Sequence, residues 1–197
     1  ETIENFSLTA GGFGVAYGDR LSSLLIVDNR PGEKKFQGAT ALSITDGNFV
    51  LEGATPFSNN GTWLFSARRT YYDFVLNRLT DQDLPAFVDF QLQAGWEFGP
   101  GHRLSLTGLR SVEDADFSKN WTGSGQRAAF QSDVKNDLAS ARFDAVLGSR
   151  STSTTIVSWY RNQELLDFNG KIRADAKRSN STNDGAAFGF ATIVFDR

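Results

Sequence analysis

The stretch DFQLQAGWEF, residues 89–98, decides the fold. Phe90, Leu92, Ala94, Trp96 and Phe98 stand at alternate positions, and Asp89, Gln91, Gln93, Gly95 and Glu97 stand between them. Successive side chains of a β-strand point to opposite faces, so this segment reads as a strand with one apolar face and one polar or small face. Gly99, Pro100 and Gly101 follow it as a short turn.

The same alternation extends in both directions. Upstream, Trp63, Phe65 and Ala67 alternate with Leu64, Ser66 and Arg68, and the strand runs on into Arg69, Thr70 and Tyr71. Before that, Phe36, Gly38, Thr40, Leu42 and Ile44 share a face, Asp46-Gly47 reads as a two-residue hairpin turn, and the chain returns through Phe49, Leu51 and Gly53 with Glu52 opposite. Pro56 ends that strand, and residues 58–61 form a second turn. Residues 74–84 have no clear period and leave room for a helical turn. Downstream, a fifth strand is expected over 103–110, although Leu109 falls on its polar side. A sixth sets Ala139, Ala141, Phe143, Ala145 and Leu147 against Ser140, Arg142, Asp144 and Val146, and residues 148–150 turn the chain. A seventh covers about 154–166, with Val157 and Trp159 on one face, and an eighth covers 186–195. The polar stretches 113–136 and 169–184 read as loops, and residues 1–10 as a connecting segment.

Connection lengths add an asymmetry. The turns near Ser58, Gly99 and Gly148 are short, whereas three of the alternate links, at 74–84, 113–136 and 169–184, are long and polar; Asp46-Gly47 is a short link on that side. Short turns at one end and long loops at the other is the pattern of outer-membrane barrels. Trp63, Trp96 and Phe98 would lie at the short-turn end and Tyr71 at the other. The span from Trp63 to Tyr71 is roughly 26 Å of extended chain, near the ~25 Å apolar band that separates two aromatic girdles.

Composition narrows the classes. The 197 residues suffice for one domain with a core. The longest apolar run, residues 21–27, is interrupted by Ser22 and Ser23 and is far short of the ~20 residues a spanning helix needs. Spanning helices are excluded, and spanning strands are not, because a barrel strand shows lipid only alternate residues. Without cysteine there is no disulfide framework and no thiolate ligand or nucleophile. A net charge of −3 with scattered Lys and Arg gives no nucleic-acid footprint. Seventeen Phe point to a large apolar surface or core. A chain that starts at Glu1 and lacks Met reads as a processed or excerpted piece with no visible signal peptide.

Residues 11–30, GGFGVAYGDRLSSLLIVDNR, open on turn-permitting glycines and continue as a short apolar strand. They do not make a phosphate loop: Tyr17 stands where the third glycine of that fingerprint belongs, and no strand precedes or amphipathic helix follows. The wording GGF-x-x-x-YG-x-RLSS, followed by ARRTYYD at 67–73 and HRLSL at 102–106, resembles TonB-dependent outer-membrane receptors at the end of the plug, the top of the third barrel strand and the opening of the fifth. In that family a 22-stranded barrel encloses a plug. The resemblance implies an all-β chain: residues 1–32 as the end of a plug domain, and 33–197 as an antiparallel transmembrane β-barrel section of about eight strands. It further implies import of a scarce nutrient of the siderophore, cofactor or glycan class. The implied partners are outer-membrane lipid, the rest of the barrel or covering chains, and a TonB-type inner-membrane protein acting through an N-terminal region not seen here. No TonB box, main plug body or terminal aromatic strand is visible.

The implied roles fall on named residues. Gly11, Gly12, Tyr17, Gly18 and Arg20 would hold the plug–barrel junction. Arg68, Asp89, Gln91, Gln93, Glu97, Arg142 and Asp144 would face the lumen or plug. Trp63, Tyr71, Trp96 and Phe98 would mark the membrane interfaces, with Arg69 near the outer rim able to meet lipopolysaccharide phosphates. His102 is the single histidine and reads as solvent-exposed. Glu113, Asp114 and Asp116 offer hard oxygens that calcium would accept, against the plainer reading of a solvated acidic loop. No nucleophile, base and orienting group form a set, and no cofactor is implied. Two other readings stay open: a self-contained eight-stranded structural or adhesive barrel, and a soluble β-sandwich binding module.

Overall fold

The computed structural model describes residues 2–12, 22–56, 60–71, 85–116, 130–149, 151–168, 172–179 and 188–195. The chain divides into two compact units, Glu1–Pro31 and Gly32–Arg197.

The first unit is an antiparallel hairpin of β1 (Ile3–Ala10) and β2 (Ser23–Asn29). Residues 1–10 are thus not a plain connecting segment. Their alternation is short, but Phe6 pairs with Val27 and Leu8 with Leu25, which places four apolar side chains on one exposed face. Arg30 N–H closes the open end by donating to Thr2 O at 2.9 Å. Gly11 and Gly12 leave β1 with φ of 81° and 67°, where a β-carbon would be strained. An added Cβ would meet nothing within 4 Å at either position, so these glycines serve a turn and not a close approach.

The second unit is one antiparallel sheet of nine strands: β3 (Gln37–Leu42), β4 (Asp46–Ala54), β5 (Gly61–Thr70), β6 (Ala86–Gly99), β7 (His102–Asp116), β8 (Phe130–Gly148), β9 (Ser151–Phe168), β10 (Ile172–Ser179) and β11 (Phe188–Phe195). Strands β3 to β10 are each hydrogen-bonded to the next in sequence. The outer edge of β9 is shared: β10 pairs with its second half, Ser179 opposite Arg161, and β11 with its first half, Phe188 opposite Ser158. Among the described residues the sheet is open, with β3 at one edge and β10 and β11 at the other.

Four expectations are corrected. Among the described residues the sheet has nine strands against the eight counted from the alternation, because β10 lies inside the polar stretch 169–184. The loop expected over 113–136 is much shorter, since β7 continues to Asp116 and β8 begins at Phe130. Here Glu113 pairs with Val134 and Ala115 with Ser132; the backbone ladder persists after the apolar alternation has ended. The β3–β4 turn is Ile44-Thr45 and not Asp46-Gly47: Leu42 pairs with Gly47, and Ser43 N–H donates to Asp46 O at 2.8 Å. The Ser43 hydroxyl holds this turn, accepting from Asp46 N–H at 2.9 Å and Thr45 N–H at 3.1 Å. Finally, His102 is half-buried, its ring 6.5 Å from that of Phe143. The region 72–84, with its option of a helical turn, lies outside the described residues.

Sheet register fixes which side chains share a face, because directly paired residues point the same way. One row runs Phe65, Leu92, Gly108, Ala139, Trp159 across β5 to β9, and its neighbour runs Trp63, Ala94, Leu106, Ala141, Val157. This is the apolar face. On the other face the rows run Arg68, Asp89, Ser111, Asn136, Asn162 and Leu64, Gln93, Thr107, Ser140, Ser158.

Several of the most enclosed side chains lie on the polar face at β4 and β5. Leu64 is 0 % exposed, Glu52 4 % and Val50 5 %. Glu52 anchors the strand-entry segment: it accepts from Glu33 N–H at 2.9 Å and from Gln37 Nε2 at 3.1 Å. An added Cβ on Gly32 would fall 2.2 Å from Trp63 O, so the backbone there passes directly over β5.

Candidate functional site on the two faces of the sheet

The polar face gathers Arg68, Asp89, Gln91, Gln93, Glu97, Arg142 and Asp144. Register places Arg68 opposite Asp89, Ser66 opposite Gln91 and Arg103 between Glu97 and Asp144. Hydrogen bonds tie neighbouring strands along this face. Ser111 Oγ donates to Asp89 Oδ1 at 2.6 Å, and Thr154 Oγ1 to Asp144 Oδ1 at 2.7 Å. Arg142 Nε donates to Asp144 Oδ2 at 2.8 Å, and Arg68 Nε lies 3.3 Å from Asp46 Oδ2. Tyr160 hydroxyl and Asn162 Nδ2 both donate to Asn136 Oδ1 at 2.8 Å. Two buried amide atoms, Asn48 Oδ1 and Gln93 Nε2, have no hydrogen-bond partner among the described residues.

The apolar face is uncovered among the described residues. Phe49, Phe90, Leu92, Leu106, Phe143 and Val157 are each between 39 % and 51 % exposed. Exposed apolar area on this scale marks a contact with protein or membrane. At the short-turn end Trp63 Nε1 donates to Ala54 O at 3.0 Å, and the Trp63 ring lies 6.3 Å from Phe36. Trp96 lies over Gly61, where a Cβ would fall 2.6 Å from Trp96 Cδ1; only glycine lets the indole sit there. Phe98 stands at the bulge between Glu97 and Gly99 and is 65 % exposed. Tyr71, at the opposite end of β5, aims its hydroxyl at the carbonyl oxygens of Ser43 and Asp46 and so closes the β3–β4 turn. Arg69 pairs with Gly47 and Val88 and shares the apolar face.

The chain matches no protein-family model, no curated protein and no solved structure.

Glu113 and Asp114 are successive residues of β7 and point to opposite faces, and no cluster of His, Asp or Glu among the described residues is arranged to hold a metal. Tyr17, Gly18 and Arg20 of the expected junction lie outside the described residues.

One charged cluster escaped sequence reasoning. Arg110, Asp137 and Arg161 form a row on the apolar face, on β7, β8 and β9. Arg161 donates to Asp137 Oδ2 through Nη2 at 2.7 Å and Nε at 3.1 Å, and its guanidinium carbon lies 5.6 Å from the Trp159 ring centre. Arg110 Nη1 is 3.7 Å from Asp137 Oδ1. A signal was present: Arg110 continues the parity of Leu104, Leu106 and Gly108, and Arg161 that of Val157 and Trp159. Each cation therefore stands where an apolar series ends.

Proposed function

We propose that this chain is part of the wall of an outer-membrane β-barrel, a TonB-dependent receptor importing a scarce nutrient of the siderophore, cofactor or glycan class. The observation that supports it is a single antiparallel meander with one exposed apolar face and one hydrogen-bonded polar face. A soluble sandwich buries its apolar faces between two packed sheets. Here Phe49, Phe65, Phe90, Leu92, Leu106, Phe143 and Val157 lie on one side of one sheet and have no second layer among the described residues. In a barrel wall, lipid covers that face and the polar face lines the interior.

In this reading Arg68, Asp89, Gln91, Gln93, Glu97, Arg142 and Asp144 line the interior and contact a plug or a passing solute. Trp63, Trp96 and Phe98 mark the interface at the short turns, and Tyr71 the interface at the long loops. Energy for import would come from a TonB-type inner-membrane protein. The receptor part of the reading rests on the resemblance carried by residues 11–23, 67–73 and 102–106.

Fractionation of Gram-negative cells making the protein tests the assignment. The expected result is recovery with outer membranes, release only by detergent, and solute uptake that stops when the inner-membrane proton gradient is collapsed. Recovery in the soluble fraction would overturn the barrel-wall reading. Membrane recovery with uptake indifferent to the gradient would overturn the receptor reading alone.

A further inference from the structure

We propose that the apolar face carries a specific site for an anionic membrane lipid, with one acyl chain in a groove over Gly108 and Ala139 and the phosphate held by Arg110 and Arg161. The proposal rests on the reading of this face as lipid-facing. Two adjoining hollows of about 440 and 600 Å³ share Leu92, Gly108 and Trp159 in their walls. They exist because the row through these strands is small in its middle: Gly108 and Ala139 stand between Leu92 on one side and Trp159 on the other. An added Cβ on Gly108 would meet nothing within 4 Å, which shows how open the floor is. A lipid surface of bulky side chains is levelled by mobile chains, whereas a trough of this size takes up one chain in a fixed place.

The head of the groove is charged, and its charge does not cancel. Arg110, Asp137 and Arg161 line the smaller hollow, two guanidiniums against one carboxylate. Asp137, with a side chain 14 % exposed, is engaged chiefly by Arg161. Arg110 is 57 % exposed and its 3.7 Å contact with Asp137 is longer than a hydrogen bond, so an outside acceptor can reach its N–H fork. Guanidinium groups bind phosphate oxygens through paired, charge-assisted hydrogen bonds. The apolar groove runs from this cluster toward Trp96, at the short-turn end. A lipid with its phosphate on the cluster and its chain pointing toward Trp96 fits both halves.

Brominated acyl chains quench a nearby indole and provide the test. The protein with Trp63, Trp96 and Trp121 replaced by Phe keeps Trp159 as its single indole. It is placed in phosphatidylcholine vesicles containing a minor fraction of brominated phosphatidylglycerol or, separately, brominated phosphatidylcholine. One uncompensated basic group predicts about fivefold preferential quenching by the anionic lipid. In Arg110→Gln/Asp137→Asn/Arg161→Gln, which strands no buried carboxylate, the preference falls to about one. If that variant does not insert, Arg110→Gln alone is used, and loss of most of the preference is expected. Equal quenching by the two lipids, or a preference that survives the substitutions, overturns the site. The reciprocal protein that keeps only Trp63, with Trp96, Trp121 and Trp159 replaced by Phe, separates this from the underlying reading: Trp63 lies outside the groove and should be quenched equally by both lipids. No quenching of either Trp159 or Trp63 overturns the lipid-facing assignment together with the site.

Discussion

Replacing Leu106 by Arg separates a lipid-facing sheet from a water-facing one by the size of its cost. Leu106 lies on the apolar face of β7 midway between His102 and Arg110, about 13 Å along the strand from each. With the strand tilt of a membrane barrel this becomes about 10 Å along the normal, so Leu106 sits within a few ångströms of the centre of a ~25 Å apolar band. An arginine there costs about 2–4 kcal/mol in a bilayer. In water the same substitution at a side chain already 39 % exposed changes stability by about 0.5 kcal/mol. Thr107, the next residue, points to the opposite face between Gln93 and Ser140, and Thr107→Arg should cost under about 1 kcal/mol. The difference of about 2–3 kcal/mol is roughly 30- to 150-fold in the unfolding equilibrium. Guanidinium unfolding from phosphatidylcholine vesicles, followed by tryptophan emission, reads it directly. A cost for Leu106→Arg below about 1 kcal/mol, or within 0.5 kcal/mol of the Thr107→Arg value, refutes the placement of this face in lipid.

Three further substitutions test local claims. Glu52→Ala removes the acceptor of Glu33 N–H and Gln37 Nε2, and should cost about 1–3 kcal/mol while speeding hydrogen exchange at the Glu33 amide; unchanged exchange would show that the carboxylate does not anchor the segment. Tyr71→Phe removes the hydroxyl that reaches Ser43 O and Asp46 O, with an expected loss of about 1 kcal/mol and faster exchange at Ser43 and Asp46, but not at β7 amides. Gly61→Ala forces a Cβ to 2.3 Å from Thr55 Oγ1 and should cost about 1–3 kcal/mol by overpacking, whereas Gly108→Ala meets open space and should leave the denaturation midpoint nearly unchanged.

The sheet was legible where one face is apolar and the other polar. Residues 89–98 alternate without a fault, and 63–68 do so but for Leu64; they lie in β6 and β5 with the expected side chains on common faces. Legibility failed where both faces are polar. Over 130–136 and 172–179 the strands pair through the backbone ladder, and no hydrophobic period announces them. The β3–β4 turn was misplaced because Asp46-Gly47 has turn composition. The structure instead uses the Ser43 hydroxyl and Tyr71, the latter twenty-five residues or more from its partners, to close Ile44-Thr45. The role of Glu52 was hidden for the same reason: its partner Glu33 is nineteen residues away, and nothing local to Glu52 points to it. The Arg110–Asp137–Arg161 row became visible only when three strands were aligned in register, since each residue alone reads as the polar end of a strand.

A spin-label scan of β6 tests the two-faced assignment most directly. The chain has no cysteine, so a single cysteine introduced at each position from 88 to 97 carries a unique label. In bilayers, oxygen collides preferentially with labels in lipid, and a water-soluble nickel chelate with labels in water. Oxygen accessibility should peak at Val88, Phe90, Leu92, Ala94 and Trp96 and fall at Asp89, Gln91, Gln93 and Gly95, with a period of two. High nickel accessibility at Phe90, Leu92 and Ala94, or oxygen accessibility without that period, would contradict a sheet whose apolar face lies against lipid.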